Sequence, residues 1–246
     1  MTPLVRARRE RESNRILAAL PPAEVALLAS SLREVSLPRG TVLHEPGDLV
    51  EDIYFPHDAL ISLVTVMRNG ETIETGTIGR EAALGITIAL GPVRAAGRAV
   101  VQLAGTAARI AAADLEAAAT RSPVLRDLIG RCNELLMLQL QQSVACNALH
   151  DTEARLCRCL LEYSDRAGDA LALTQDFLAQ TLGVRRTTVT LIAQILQNAG
   201  VIRYRRGVIQ IVDRPALEAA ACECYRTIRQ RSNALLLASQ DEPKTA

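Results

Sequence analysis

The sequence predicts an α+β fold: an antiparallel β-sandwich or barrel, then one long helix, then a small helical domain that ends in a β-hairpin. Between residues 35 and 110 the apolar residues occur in short strand-like runs, and helical spacing returns after residue 114. No long helix separates the runs, which is typical of an antiparallel sheet and not of a βαβ sheet. Further along, Gly183 separates two short helical patterns.

The composition is that of a folded protein. Of the 246 residues, 49% are hydrophobic and 22% are charged, which argues against disorder. The first residues are charged and no apolar run of sufficient length follows, so we expect no signal peptide. No stretch of about 18 apolar residues occurs, so we expect no transmembrane helix. These observations predict a cytoplasmic protein with no membrane partner.

Local signals divide the chain into segments. Helical spacing at the start is interrupted by Pro21-Pro22, and Asn69-Gly70 between two strand-like runs predicts a β-hairpin. The predicted segments are an N-terminal helical segment (residues 1–33), a β-domain (34–120), a long helix (121–150), a helix-turn-helix domain with a hairpin (151–233) and a tail (234–246).

The long helix is predicted to start at Ser122-Pro123, with the serine hydroxyl as N-cap. At 1.5 Å per residue it would span roughly 40 Å, more than one domain needs. A bent core helix is one interpretation, and pairing with the same helix of a second copy is the one that we favour. The residues proposed for this dimer seam are Leu125, Leu128, Cys132 and Leu136.

Residues 175–194 read QDFLAQTLGVRRTTVTLIAQ and predict two short helices joined by a tight turn. In one continuous helix Gly183 would cost about 1 kcal/mol relative to alanine. A glycine permits a turn with positive φ, and the small Ala179 lets the second helix cross closely. The branched Val189 locks the second helix onto the first. We therefore predict a helix-turn-helix with Ala179, Gly183 and Val189 in its core.

Positive charge concentrates on this motif and on the hairpin after it. Residues 181–214 contain six arginines and Asp213, a net charge of 6 − 1 = +5. The second helix would enter the major groove of DNA, with Thr187 and Thr190 facing outward, while the hairpin would meet phosphates. The residues that we expect to contact DNA are Arg185, Arg186, Thr187, Thr188, Thr190, Arg203, Arg205 and Arg206.

Together, the β-rich domain, the connecting helix and the C-terminal winged helix-turn-helix resemble the Crp/Fnr superfamily of bacterial transcription regulators. The resemblance is strongest over residues 173–212, and residues 37–55 (LPRGTVLHEPGDLVEDIYF) resemble the first strands of the family's cyclic-nucleotide-binding-like jelly roll. It implies a homodimer that pairs through the long helix, binds double-stranded DNA and has RNA polymerase as a further partner. Thr187 and Leu191 stand where other members have a base-reading Glu and Arg.

The segment that resembles the family's effector pocket departs from its pattern. Members that bind a cyclic nucleotide use a Gly-Glu pair for the ribose and an Arg-Ser/Thr pair for the phosphate. Here Gly85 is followed by Ile86 and Arg98 by Ala99, and Glu81 stands upstream. We assign these five residues to the effector pocket and predict no cofactor and no cyclic nucleotide there. A cyclic-nucleotide-responsive regulator is the alternative.

The six cysteines all lie in the second half of the chain, in predicted helices. Two C-x-C pairs are not the C-x2-C spacing of zinc or redox motifs, so we expect buried structural thiols and no metal. Oxygen-sensing Crp/Fnr members hold an iron–sulfur cluster on N-terminal cysteines, and here Cys132 is the first cysteine.

Two other functions were considered. Jelly rolls also occur in metal-dependent cupin enzymes, but the candidate ligands do not have the spacing that places ligands on one strand face. These candidates are His44, Glu45, His57 and Asp58. A winged helix that binds protein is the other alternative, against which the basic patch argues. We expect a regulator that is not an enzyme.

Overall fold

The computed structural model describes residues 14–87, 91 and 93–237. The helices are α1 (Arg15–Ala19), α2 (Pro22–Ala29), α3 (Ala112–Arg121), α4 (Pro123–Leu149), α5 (Thr152–Ala167), α6 (Gln175–Leu182), α7 (Arg186–Asn198), α8 (Arg214–Ala220) and α9 (Cys224–Leu237). The strands are β1 (Arg33–Leu37), β2 (Val42–His44), β3 (Asp52–Pro56), β4 (Leu60–Val66), β5 (Thr72–Ile78), β6 (Arg98–Leu103), β7 (Gly105–Ala111), β8 (Ala170–Leu171), β9 (Ile202–Arg205) and β10 (Val208–Ile211). The start of the predicted N-terminal segment and the end of the predicted tail lie outside the described residues. Within the described part of the chain, every helix is too short or too polar to cross a bilayer.

The β-domain is a sandwich of two antiparallel sheets. One sheet has the strand order β1-β7-β3 and the other has the order β2-β6-β4-β5. The alternating side chains of these strands form an apolar core that includes Leu37, Ile61, Ile78 and Val101. The antiparallel sandwich predicted from the short apolar runs is confirmed.

Strands β4 and β5 form the hairpin that Asn69-Gly70 predicts. The N–H of Met67 donates to the carbonyl oxygen of Glu71 over 2.8 Å, and the N–H of Gly70 donates to that of Met67 over 2.9 Å. The loop is therefore Arg68, Asn69 and Gly70. Gly70 has a φ of 86°, which a glycine adopts without a steric cost.

Helix α4 begins where the sequence predicts. The hydroxyl of Ser122 accepts a hydrogen bond from the N–H of Leu125 over 3.0 Å, and Pro123 occupies the first turn. The helix continues for 27 residues without a break at Gly130. It runs from the β-domain to the C-terminal helices.

Three of the four residues proposed for a dimer seam on α4 lie in the interior of one chain, which differs from the sequence interpretation. Leu125, Leu128 and Cys132 are buried in a core cluster with residues of α1, α3 and the sandwich. Leu136 is half-buried against the sandwich core. The three buried side chains are therefore covered by their own chain, which argues against them as a dimer seam, whereas Leu136 is only partly covered.

The opposite face of α4 carries exposed apolar side chains. Met137 is 56% exposed and Val144 is 71% exposed. Gly130, Met137 and Val144 follow one another at intervals of seven residues, the period of a seam between paired helices. A Cβ atom at Gly130 would meet no atom within 4 Å, so a second helix could approach closely there.

The C-terminal part contains α5 to α9 and a small sheet with the strand order β8-β10-β9. One apolar core joins α5, α6, α7 and this sheet, and it includes Leu160, Leu178, Val189 and Ile209. Helix α9 returns to pack against α4. The fold is thus the predicted mixture of an N-terminal sandwich, a long helix and C-terminal helices with a hairpin.

The two halves of the chain meet along β5. Helix α6 packs on this strand, and the amide of Gln180 donates a hydrogen bond to the hydroxyl of Thr72. The guanidinium of Arg166 on α5 donates to the hydroxyl of Thr77 and pairs with the carboxylate of Glu81 over 2.6 Å. Because Arg166 and Thr77 are buried, separating them would leave buried polar groups without partners, which favours this relative position of the two halves.

Glu74 on β5 is a buried carboxyl group at the same contact. Its Oε1 accepts a hydrogen bond from the hydroxyl of Tyr163 over 2.9 Å, and its Oε2 accepts one from the hydroxyl of Ser62. Burial raises the pKa of Glu74 to about 7. The two hydrogen bonds and the charge of Arg166 oppose this rise, and the charge of Glu162 adds to it.

We predict that Glu74→Gln removes a pH-dependent part of the stability. The pKa of Glu74 rises from its ordinary value of 4.5 to about 7 on folding. The free energy of unfolding of the wild type should therefore fall by on the order of 3 kcal/mol as the pH rises from 4.5 to about 7. At higher pH Glu74 causes no further loss. Glutamine carries no charge that folding would bury. The free energy of unfolding of the variant should therefore rise relative to that of the wild type over the same pH range.

Urea unfolding at fixed protein concentration across this pH range measures the effect. Glu71→Gln, an exposed carboxylate on the same hairpin, is the control and should follow the wild type. Parallel curves for Glu74→Gln and the wild type would contradict the prediction.

Candidate nucleic-acid interface

The turn between α6 and α7 depends on Gly183. The hydroxyl of Thr174 caps α6 by accepting a hydrogen bond from the N–H of Phe177 over 3.2 Å. Gly183 then ends the helix in the left-handed conformation, with φ 64° and ψ 36°. The N–H of Val184 donates to the carbonyl oxygen of Ala179 over 3.0 Å and closes the turn. The chain can therefore reverse direction within three residues.

The facing sides of α6 and α7 form a small apolar core. Val189 is fully buried, and Leu182, Ile192 and Ala179 are buried around it. The side chains at the predicted helix-turn-helix core positions thus lie inside this core. Their burial leaves the other side of α7 to solvent.

The N-terminal half of α7 presents polar and positively charged groups to solvent. Arg185, Arg186 and Thr187 are exposed, Thr188 is half-buried and Leu191 is 59% exposed. The first turn contains no acidic residue, and no side chain caps the helix. Free N–H groups and the positive end of the helix dipole make such a terminus suited to phosphate.

Two side chains of this face have partners that the sequence did not predict. Thr190 is half-buried, and its hydroxyl donates to Gln175 Oε1 over 2.6 Å. It faces the start of α6 and is not on the outward face, because Gln175 covers it. Arg186 lies 3.4 Å from Asp176 in an exposed ion pair. An exposed pair of this kind is worth about 0–1 kcal/mol, so Arg186 can exchange this partner for another anion.

Strands β9 and β10 carry the second group of arginines. Arg206 and Gly207 form a two-residue turn with φ values of 52° and 77°, as in a type I′ hairpin. Arg203, Arg205 and Arg206 are exposed. The N–H of Tyr204 donates to Gln197 Oε1 over 2.8 Å, which joins the hairpin to the end of α7.

Arg214 does not belong to the basic patch, although the sequence count included it. Its guanidinium contacts Asp165, lies 3.7 Å from Asp169 and lies 3.1 Å from Glu218. It also donates a hydrogen bond to the hydroxyl of Tyr225 over 2.8 Å. These acidic partners neutralise its charge. The patch therefore consists of the arginines at 185, 186, 203, 205 and 206.

The residues assigned to an effector pocket have the following surroundings in the fold. Glu81 pairs with Arg166 at the contact between the two halves. Ile86 is buried in one apolar cluster and Ala99 in another. Arg98 lies 2.8 Å from Glu45 in a half-exposed ion pair. Gly85 has a φ of 80°, and a Cβ there would lie 2.9 Å from the side chain of Val50.

A cavity of about 310 Å³ lies between the β-domain and the helices α5 and α9. Charged groups dominate its wall, among them Arg15, Arg80, Glu81, Arg166 and Arg229. Of the five residues assigned to the effector pocket, Glu81 lines this cavity and the other four do not.

The candidate ligands of a cupin-type metal site each have a different partner. Nδ1 of His44 lies 3.1 Å from the carbonyl oxygen of Gly97, and Glu45 pairs with Arg98. Nδ1 of His57 accepts a hydrogen bond from the N–H of Asn14 over 3.1 Å. Asp58 accepts one from the N–H of Thr106 over 2.6 Å.

The fold gathers four side chains in one place: Cys146, His150, Cys222 and Cys224. The three cysteines were expected to be buried structural thiols without a metal, and nothing in the sequence analysis placed His150 beside them. All six cysteines are buried and none forms a disulfide bond. The signal that could have identified the group is the spacing of Cys146 and His150, which places both on one face of a helix.

Comparison with known proteins identifies the fold. Residues 154–220 match the family model described as the Crp-like helix-turn-helix domain. FixK2 from Bradyrhizobium japonicum is 14% identical with a TM-score of 0.67, over 78% of this chain and 98% of that one. The regulator CLP from Xanthomonas campestris, described as responsive to c-di-GMP, is 16% identical with a TM-score of 0.63, over 78% and 99%. TTHA1359 of the CRP/FNR family from Thermus thermophilus is 22% identical with a TM-score of 0.62, over 77% and 98%.

No curated protein matches the sequence significantly. Residues 154–220 are thus a Crp-like helix-turn-helix domain, and the chain has the fold of Crp/Fnr transcription regulators. The resemblance drawn from the sequence is confirmed.

We predict that Gly183→Ala destabilises the protein by about 1–2 kcal/mol, because an alanine pays a steric cost in the left-handed region. The new Cβ would also lie 3.2 Å from the terminal methyl group of Ile73. Gly183→Asn is the matched control, since it introduces the same Cβ but asparagine tolerates this conformation better. Urea unfolding should place Asn between Gly and Ala. Equal losses for both variants would mean that the contact with Ile73, and not the backbone conformation, makes glycine necessary.

Proposed function

We propose that the protein is a transcription regulator that binds double-stranded DNA as a homodimer. The observation that carries the proposal is the set of exposed arginines on two adjacent elements of the Crp-like domain, Arg185 and Arg186 at α7 and Arg203, Arg205 and Arg206 on the hairpin. Their charge favours a polyanion, and its placement favours a duplex over a protein partner. A second copy and RNA polymerase are the protein partners that this role implies. The site of action would be the bacterial cytoplasm, where the DNA lies.

Helix α7 would enter the major groove with its N-terminal residues at the base edges. Arg186 is placed to bond a guanine bidentately, and Thr187 offers a hydroxyl and a methyl group. The exposed side chain of Leu191 suits the methyl group of a thymine, which is also apolar. The free N–H groups at the start of the helix would bind a phosphate.

The hairpin would bind the DNA backbone. Arg203 and Arg205 alternate with the buried Ile202 and the half-buried Tyr204, so both arginines lie on the outer face of the small sheet. Contacts of arginine with phosphate position a protein on the duplex without reading its sequence.

Dimerisation would use the exposed face of α4. Gly130, Met137 and Val144 form a line of small and apolar groups along the helix, and pairing about a two-fold axis would bury them. The axis would then relate two copies of α7. Their half-sites should lie about one helical turn apart, roughly 34 Å, in an inverted repeat.

The contacts inside the β-domain favour an effector other than a cyclic nucleotide, or no effector. A bound ribose needs an acceptor for its hydroxyls, and Ile86 at the matching position is part of an apolar core. Ala99 has no hydroxyl for the phosphate, and Arg98 already pairs with Glu45. Unpaired buried polar groups cost about 1–3 kcal/mol each, which disfavours such a complex. Among the described residues, no arrangement of side chains supports an enzyme in the way that the exposed arginines support DNA binding.

We predict that two arginines have different roles in DNA binding. Arg186→Ala should cost on the order of 1–3 kcal/mol on the preferred operator and relax the preference at one base pair. Arg205→Ala should weaken binding to all sequences alike and reduce the salt dependence of log K by about one unit. Fluorescence anisotropy with a selected operator and a scrambled duplex, at several salt concentrations, measures both effects.

The control for these variants is Arg39→Ala, which removes an exposed arginine on a turn of the β-domain and should leave binding unchanged. Equal, sequence-independent losses for Arg186→Ala and Arg205→Ala would refute the division of roles. Binding that persists unchanged in both variants would refute the interface.

We predict that Val144→Glu separates the dimer. Val144 is exposed in a single chain, so the substitution leaves the fold intact but places like charges at the two-fold seam. A loss of about 3 kcal/mol raises the dimer Kd more than about 100-fold. Val124→Glu is the matched control, since this exposed valine lies on another side of the same helix. Sedimentation equilibrium should give a monomer for Val144→Glu only, and a dimeric Val144→Glu would rule out this seam.

A further inference from the structure

Four potential metal ligands lie at the junction of α4 with the C-terminal helices. Cys146 and His150 are one turn apart at the end of α4. Cys222 lies between α8 and α9, and Cys224 begins α9. The ligand atoms of these residues all lie within 4.8 Å of one another.

The spacing of these atoms fits a single tetrahedral ion. Sγ of Cys146 lies 3.5 Å from Sγ of Cys222, and Sγ of Cys224 lies 3.5 Å from Nδ1 of His150. Around Zn²⁺, with bonds of about 2.3 Å to sulfur and about 2.0–2.1 Å to nitrogen, tetrahedral ligands are separated by about 3.8 Å for two sulfurs and about 3.5 Å for sulfur and nitrogen. A disulfide would need sulfurs about 2 Å apart. These two pairs are thus close to the separation that a tetrahedral ion needs, and the whole group, within 4.8 Å, is compact enough to close around one ion.

The surroundings support the ligands as a metal site requires. Nε2 of His150 lies 3.9 Å from a carboxylate oxygen of Glu223, which is within reach of an ion pair but longer than a hydrogen bond. Ligating histidines usually direct their second nitrogen to such a carboxylate. The amide of Gln142 donates a hydrogen bond to Sγ of Cys224 over 3.1 Å. Thiols that only fill an apolar core would be surrounded by apolar side chains, whereas these lie beside an imidazole, an amide and a carboxylate.

We infer that Cys146, His150, Cys222 and Cys224 bind one Zn²⁺ ion. Three soft thiolates and an imidazole in a tetrahedron select zinc among the common divalent ions. A polynuclear iron–sulfur cluster would spread its ligands further, because it distributes them over two or more iron atoms. All four positions are filled by protein, so the ion has no open site for a substrate. Its role is to tie the last turn of α4 to the segment that joins α8 and α9.

Metal analysis of the full-length purified protein tests the inference. After dialysis against metal-free buffer, the wild type should retain about one zinc per chain, as a closed four-ligand site does. Cys222→Ser and Cys224→Ser should lose it. Cys132→Ser and Cys157→Ser are matched controls, because these buried cysteines lie outside the group, and both should keep it. Wild-type protein without zinc, protein with iron and sulfide instead, or equal losses in the controls would overturn the inference.

Two measurements do not depend on the folding of the cysteine variants. The wild type, stripped by a chelator and reloaded with Co²⁺, should show the thiolate-to-cobalt absorption and the intense visible bands of a tetrahedral site. Glu223→Gln should lower zinc affinity about 10–100-fold in competition with a chromogenic chelator, because it loosens His150. Cobalt bound without these bands would overturn the site. Unchanged affinity in Glu223→Gln would overturn the assignment of His150 as an oriented ligand.

Discussion

The contact between strand β5 and the C-terminal helices determines where every group that would touch DNA is placed. Glu74 and Glu81 of the β-domain meet Tyr163 and Arg166 of α5. Glu74, Tyr163 and Arg166 are buried, and Glu81 is partly buried. A buried polar group that loses its partner costs about 1–3 kcal/mol, and a charged one costs more. The contact therefore favours the arrangement that pairs all of them. Helix α6 packs on β5 as well, so the direction of α7 depends on the β-domain and not only on its own core.

Helix α4 has three different sets of neighbours along its length and around its surface, which explains why the face available for dimerisation was difficult to predict from the sequence. Its inner stripe, including Leu125 and Leu128, closes the core of the β-domain, and its last turn carries Cys146 and His150. Its outer face would pair with a second copy. An apolar pattern identifies a helix face that is buried in a contact, but it does not show whether that contact is with the same chain or with another one. Here the more apolar stripe of α4 packs within its own chain. The less apolar stripe, with Met137 and Val144, is exposed.

The features that could be predicted from the sequence are those whose conformation depends on residues close together in the chain. Asn69-Gly70 turns the chain, Ser122 caps α4 and Gly183 ends α6 in the left-handed conformation. The sequence also predicted the period of each segment, and hence the fold class. What could not be predicted depends on partners far along the chain. Cys146 meets a cysteine 76 residues away, and the same limit applies to Arg214, whose acidic partners remove it from the basic patch.

Glu81 connects these observations to regulation. The resemblance to Crp/Fnr proteins assigned it to an effector pocket, and the structure places it in a buried ion pair with Arg166. A ligand shifts a conformational equilibrium only by its difference in affinity for the two states. In this chain Ile86 and Ala99 are packed in apolar cores and offer a ligand little contact that could differ between states. The charged groups of the β-domain that reach the C-terminal half lie beside β5. A signal received in the β-domain that changes the pairing along β5 would change the support of α6, which packs on this strand, and through α6 the position of α7.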